Sequence, residues 1–247
     1  ANGANRTPNI INANAKKVEL SGPILNQTDG INHLNLSKTG AGQLTIRGLE
    51  NDYLGSTTHL VDTLAYRSIA NLGEKSSLGA PVTVSDGTIH LGSDSSTAFS
   101  YIGEGNSASN RSISLESTDN AFSILNVDGS GSLVISGDIL TNLSVKAQSF
   151  RLSGSGSGTG TISGTISDSP GGNATSILKS GSGVWTLTGN NTFTGGVVIA
   201  NSQGTLQFSS VANSGNASAL GASGTITLGG AGSTLKYIGS GNSVTDR

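Results

Sequence analysis

The chain has 247 residues, 13 Lys and Arg against 15 Asp and Glu, a net charge of −2, 37 glycines, 4 prolines and no cysteine or methionine. The weak charge leaves no electrostatic footprint for DNA, RNA or an anionic membrane, and the missing cysteine excludes disulfides, thiolate chemistry and Cys-based zinc sites. Charged residues are 11% and apolar residues 34%, the latter set in short alternating runs, which predicts an ordered all-β chain rather than a disordered one.

In chain order, strands are predicted over 17–20, 31–36, 43–46, 81–84, 88–91, 112–115, 123–127 and 132–135. Further strands are predicted over 161–162, 165–166, 184–187, 196–199, 205–208, 224–228 and 233–237. Most are 4 to 6 residues long, alternate in polarity and end on Gly, Asn, Asp or Ser. Only Ser56 to Leu72 has helix-like spacing, at Leu60, Leu64 and Ile69, and its aligned copy at Gly195 to Phe208 reads as strands. No apolar run reaches the roughly 18 residues of a membrane span, and no signal peptide is recognisable.

The chain repeats itself about 140 residues apart. Lys38, Gly40, Gly42 and Gly48 recur as Lys179, Gly181, Gly183 and Gly189, with the apolar pairs Leu44/Trp185 and Ile46/Leu187 in phase. Ser21-Gly22 returns as Ser163-Gly164, Leu78-Gly79-Ala80 as Leu220-Gly221-Ala222, and Tyr101-Ile102-Gly103 as Tyr237-Ile238-Gly239. A sandwich or closed barrel has no reason to repeat in this way, whereas each coil of a solenoid buries its inward face by stacking on the next. At roughly 20–25 residues per coil the chain makes about ten coils, a rod roughly 50 Å long. Asn5-Arg6, Asn110-Arg111 and Asp246-Arg247 occupy one phase of the repeat. They divide a single solenoid of residues 1–247 into units of about 6–110 and 111–247. The shared phase, and the absence of any methionine, predict a piece of something longer, flanked by more repeats or stacked end to end on itself.

Candidate chemistry is sparse. Asp119, Asp128 and Asp138 are the best acidic cluster, but paired carboxylates must converge to do acid–base work, and solvated loop carboxylates are the simpler reading. Asp128-Gly-Ser-Gly lacks the nonapeptide pattern of calcium-binding β-rolls. Gly154 to Gly160 has the glycine density of a phosphate loop without its Gly-Lys-Ser/Thr ending. His33, His59 and His90 stand alone, with no ligand-like spacing. Trp185 takes the place of Leu44, which argues for packing over a sugar-stacking role. No catalytic, metal or cofactor site is predicted.

The block from Lys179 to Leu206 closely resembles the autotransporter-associated β-strand repeat, also called the passenger-associated transport repeat. It has the lysine, the glycine turn, the apolar pair, then Asn191-Thr192-Phe193-Thr194-Gly195-Gly196 and a closing Gly204-Thr205-Leu206. The copy from Lys38 to Gly55 is degenerate, with Tyr53 as its aromatic. The resemblance implies a right-handed parallel β-helix in the secreted passenger of a type V autotransporter or a related bacterial surface protein. The expected role is non-enzymatic: a rod, fibre or adhesin scaffold on the outer surface, facing an unidentified host-cell or glycan receptor. Two alternatives stand beside it, a homopolymeric extracellular filament and a polysaccharide-binding or polysaccharide-degrading β-helix such as a tailspike. Secretion of an unfolded chain through a narrow pore accounts for the missing cysteines.

Overall fold

The computed structural model describes residues 8–12, 14, 16–26, 33–92, 96–117, 121–141, 146–200 and 204–247. Asn5-Arg6, Asp119 and the first two residues of the strand predicted over 31–36 lie outside them. The chain opens with β1 (Pro8–Asn12) and β2 (Lys16–Leu20), then β3 (Asn35–Thr39) and β4 (Gly42–Ile46), then β5 (Thr57–His59) and β6 (Asp62–Tyr66). A single-turn helix, α1 (Val84–Gly87), follows. Each of the next circuits takes three strands. They are β7 (Ile89–Leu91), β8 (Thr97–Tyr101) and β9 (Ser107–Ser109), then β10 (Ile113–Leu115), β11 (Phe122–Val127) and β12 (Ser132–Ile135). After them come β13 (Ile139–Leu140), β14 (Gln148–Ser153) and β15 (Thr159–Ile162). The chain closes with β16 (Thr175–Lys179) and β17 (Val184–Leu187), β18 (Val197–Ile199) and β19 (Thr205–Phe208), β20 (Ile226–Leu228) and β21 (Thr234–Tyr237).

These strands form three sheets in which all strand pairing is parallel. The first runs β1-β3-β5-β7-β10-β13, the central one β2-β4-β6-β8-β11-β14-β16-β18-β20, and the third β9-β12-β15-β17-β19-β21. The chain visits them in cyclic order, the arrangement of a β-solenoid. Inward side chains therefore stack into ladders. One row of the central sheet runs Val18, Leu44, Leu64, Phe99, Leu125, Leu152, Lys179, Ile199, Leu228. Apart from Lys179 it is apolar throughout, and each fully buried side chain of this size stabilises by about 1.5–3 kcal/mol. The sheets supply hydrogen bonds from one circuit to the next, so each circuit depends on its neighbours.

The 81–84 strand is corrected to a helix N-terminus. Thr83 is the N-cap, its hydroxyl accepting from the Asp86 backbone N–H at 3.1 Å and donating to the Asp86 carboxylate at 2.9 Å, which outcompetes the extended pattern of Pro-Val-Thr-Val. Ser56 to Leu72 holds β5 and β6, as its aligned copy implied. Among the described residues, no helix is long and apolar enough to cross a membrane.

The two copies of the repeat do not lie on the same face. Lys38 is in β3 of the first sheet and Leu44 in β4 of the central sheet. Lys179 is in β16 of the central sheet and Trp185 in β17 of the third. Climbing the first sheet from β3 through β5, β7, β10 and β13 to the Ile139–Ile166 bridge gives five returns, and β16 follows one face later. The repeat thus advances five circuits and a further third of a turn.

Candidate functional site

Each repeat builds one elaborate corner. Lys38 and Lys179 have no solvent exposure. The Lys38 ammonium donates to the carbonyls of Gly40 at 2.7 Å and Val61 at 2.8 Å; that of Lys179 donates to Ser180 at 2.6 Å and Gly181 at 2.8 Å. The carbonyls converge because Gly40 and Gly181 turn the chain at φ 70° and 67°, a left-handed conformation that glycine adopts without penalty. Burial lowers the pKa of both lysines, that of Lys179 to about 8.

Asn51 and Asn191, both inaccessible, tie three circuits together. Asn51 accepts from the Ile24 N–H at 2.7 Å and donates to the Ser77 carbonyl at 2.8 Å; Asn191 accepts from Ile166 at 2.8 Å and donates to Ala219 at 2.8 Å. Two residues on, the buried aromatic is Tyr53 or Phe193. Tyr53 shares a 2.8 Å hydrogen bond with Thr57, whereas Phe193 precedes Val197 at the matching position. The circuit after these ends in a guanidinium, buried at Arg111 and partly exposed at Arg247. Arg111 donates to Leu78 at 2.7 Å and Gly87 at 2.7 Å; Arg247 donates to Leu220 at 3.0 Å and Gly224 at 2.9 Å. Tyr101 and Tyr237 each donate to the carbonyl four residues on, Gly105 and Gly241.

The remaining motif residues sit on the same framework. Leu44, Ile46, Trp185 and Leu187 are fully buried. Trp185 donates its indole N–H to Ser153 at 2.7 Å and pairs in register with Gly160, where an added Cβ would lie 2.4 Å from the indole. Gly42, Gly48, Gly183 and Gly189 occupy strand starts and corners, and a Cβ at Gly189 would come within 2.2 Å of the Gly164 carbonyl. Thr192 is exposed but its N–H bonds Ile166, while the Gly195 N–H bonds Thr175 and Gly196 turns at φ 83°.

The acidic residues are spent on neighbouring circuits. Asp128 accepts from the Ser155 N–H at 3.0 Å, Asp138 from Thr165 at 2.9 Å, and Asp168 from Thr175 at 2.7 Å and Thr194 at 3.0 Å. Asp128 and Asp138 therefore act as corner caps and are not brought together over a cleft. A shallow groove of about 190 Å³ is lined by Arg67, Ser68, Tyr101, Glu104 and Asn106, with a single carboxylate. Glycoside hydrolysis needs two. Among the described residues no cluster of three or more His, Cys, Asp and Glu is placed to hold a metal ion.

Sequence reasoning missed two pairings. His90 bonds Glu116 at 2.6 Å from 26 residues away, one circuit on. Burial raises the Glu116 pKa, but the His90 hydrogen bond and charge outweigh it and leave the carboxyl below its ordinary value. His59 is buried directly against Lys38 in register. The signal for both is a spacing of one circuit, which is visible only once circuit length is known.

The lysine and asparagine corners lie in segments that match a known repeat family. The passenger-associated-transport-repeat family matches residues 36–58 and 177–208, the two segments that carry the lysine, asparagine and aromatic. The adhesin BmaC autotransporter of Brucella suis biovar 1 (strain 1330) is 39% identical over 220 residues, 83% of this chain. The chain carries two passenger-associated transport repeats. Its place is outside the cell or on the outer surface, where such passengers are displayed. The chain spans about 6% of the length of that adhesin. No solved structure matches it.

Proposed function

We propose that this passenger segment is a non-enzymatic rod of about ten coils, a right-handed β-helix that serves as a scaffold in a bacterial surface protein. The observation that carries the reading is the nine-stranded central sheet, to which the chain returns every 20 to 35 residues in parallel register. Right-handedness rests on the strong preference of parallel strand connections for that hand. The repeat units are about 6–110 and 111–247, and the motif residues from Lys38 to Gly48 and Lys179 to Gly196 hold corners rather than ligands. The naming of BmaC as an adhesin supports a host-cell or glycan receptor for the parent protein, with this segment as rod, fibre or part of the adhesive surface.

A second reading is self-association into a filament, and it rests on the parallel pairing itself, since the edge strand of such a sheet is a template for a further coil. Electron microscopy of the purified segment over a concentration series tests both. Single rods roughly 50 Å long at every concentration support the scaffold; fibres of constant width that lengthen with concentration support the filament. Globular particles at every concentration would overturn both.

A further inference from the structure

His59 is fully buried, and its Nε2 lies 3.0 Å from the Asp62 carbonyl and 3.2 Å from the Ala98 carbonyl. Carbonyls only accept, so Nε2 carries the ring proton and Nδ1 is the bare nitrogen. Nδ1 is buried with no hydrogen-bond partner among the described residues. In register, His59 sits between Lys38 of β3 and Leu91 of β7. The Lys38 ammonium ends at the same corner, on the Val61 carbonyl. At the head of β6 the Asp62 carboxylate is exposed and accepts from the Gly42 N–H at 2.8 Å. His90, beside Leu91, turns to Glu116, and β8 offers His59 only the Ala98 carbonyl.

The second repeat supplies a natural control. Lys179 pairs in register with Ile199, so the position that is histidine in the first corner is aliphatic in the second.

We propose that the first repeat is an acid-sensitive corner: protonation of His59 at Nδ1 loosens the circuit through Leu60 to Asp62, while the second repeat, with Ile199 in its place, stays closed. The added proton finds no acceptor among the described residues and creates a second cation beside Lys38, its neighbour in register, where neither side chain is exposed to solvent. Burial, and next the Lys38 charge, hold the His59 pKa down to about 4 from an ordinary 6.5. The unfolded chain therefore binds this proton below pH 6.5 and the folded chain only near 4. The stability this neutral histidine confers is complete above pH 6.5, drains away as pH falls towards 4, and is constant below. Acid thus weakens one repeat of the rod and spares the other.

Hydrogen exchange with mass spectrometry on the intact segment, at pH 7 and pH 4.5 with intrinsic rates corrected, tests this. Two pH units of differential protonation correspond to about a hundredfold rise in opening, so protection over 57–66 falls tenfold to a hundredfold while 197–208 does not change. His59→Ile, which copies the second repeat, and His59→Gln, which keeps one donor, each remove the pH response. An equal response of both repeats, or a response that survives either substitution, overturns the proposal. If neither variant folds, NMR titration of the native His59 ring decides. A midpoint near 4 with coupled loss of protection sustains the corner; an ordinary midpoint overturns it.

Discussion

Asn191 shows how a single side chain ties neighbouring circuits together. It satisfies one buried N–H and one buried carbonyl that no strand partner reaches, in circuits before and after its own. Asn191→Ala leaves both unpaired and is expected to destabilise by about 2–6 kcal/mol, since each stranded buried polar group costs roughly 1–3 kcal/mol; the urea midpoint reads this. The alkaline limb tests the buried cations and phenols together. Lys179 has its pKa lowered to about 8, so from pH 8 towards 10.5 the unfolded state holds more protons and stability rises with pH. Tyr53 is raised to about 12 by burial, so the folded state holds its proton longer and stability falls from pH 10 to 12. Thermal stability is therefore expected to peak near pH 9–10, and Lys179→Met to reduce the rise that precedes the peak, leaving the share that the buried Lys38 contributes.

At the scale of strands and turns, the two repeats solve the same corner with different chemistry. Tyr53 with Thr57 forms a buried hydrogen bond, and Phe193 with Val197 needs none. Trp185, against Leu44 in the first copy, is admitted because Gly160 beneath it has no side chain. Gly160→Ala is expected to cost about 1–3 kcal/mol through overpacking, and adding Trp185→Leu to recover part of it; a double-mutant cycle measured by denaturation checks the coupling. Much of this was legible beforehand. The alternation of Val184 to Leu187 or Thr205 to Phe208 reads directly as strand because one face is buried. The ladder partners were not, because Gly160 and Trp185, or His59 and Lys38, meet only when 20 to 25 intervening residues are folded into one circuit. Helix α1 was hidden for a local reason: its single cap at Thr83 overrides a strand-like composition.

For the molecule as a whole, stability is a sum over neighbouring circuits, so damage at an end should stay there. Truncation after Ala222 removes β20 and β21 together with Arg247, whose guanidinium secures Leu220 and Gly224. The shortened chain is expected to keep its β-sheet circular dichroism and the hydrogen-exchange protection of residues 97–162, and to lose protection only over 197–208. Loss of protection throughout would mean that the rod folds as a single unit.

The third of a turn between the repeats governs how the rod meets its surroundings. A flat surface laid against the central sheet meets both the corner of Lys38 and the corner of Lys179, which lie at its two edges, whereas one laid against either other sheet meets only one of them. With this step, three repeats must pass before the same corner returns to the same side. A longer array built on it would have no front and no back, and would offer its corners in every direction like the landings of a spiral stair.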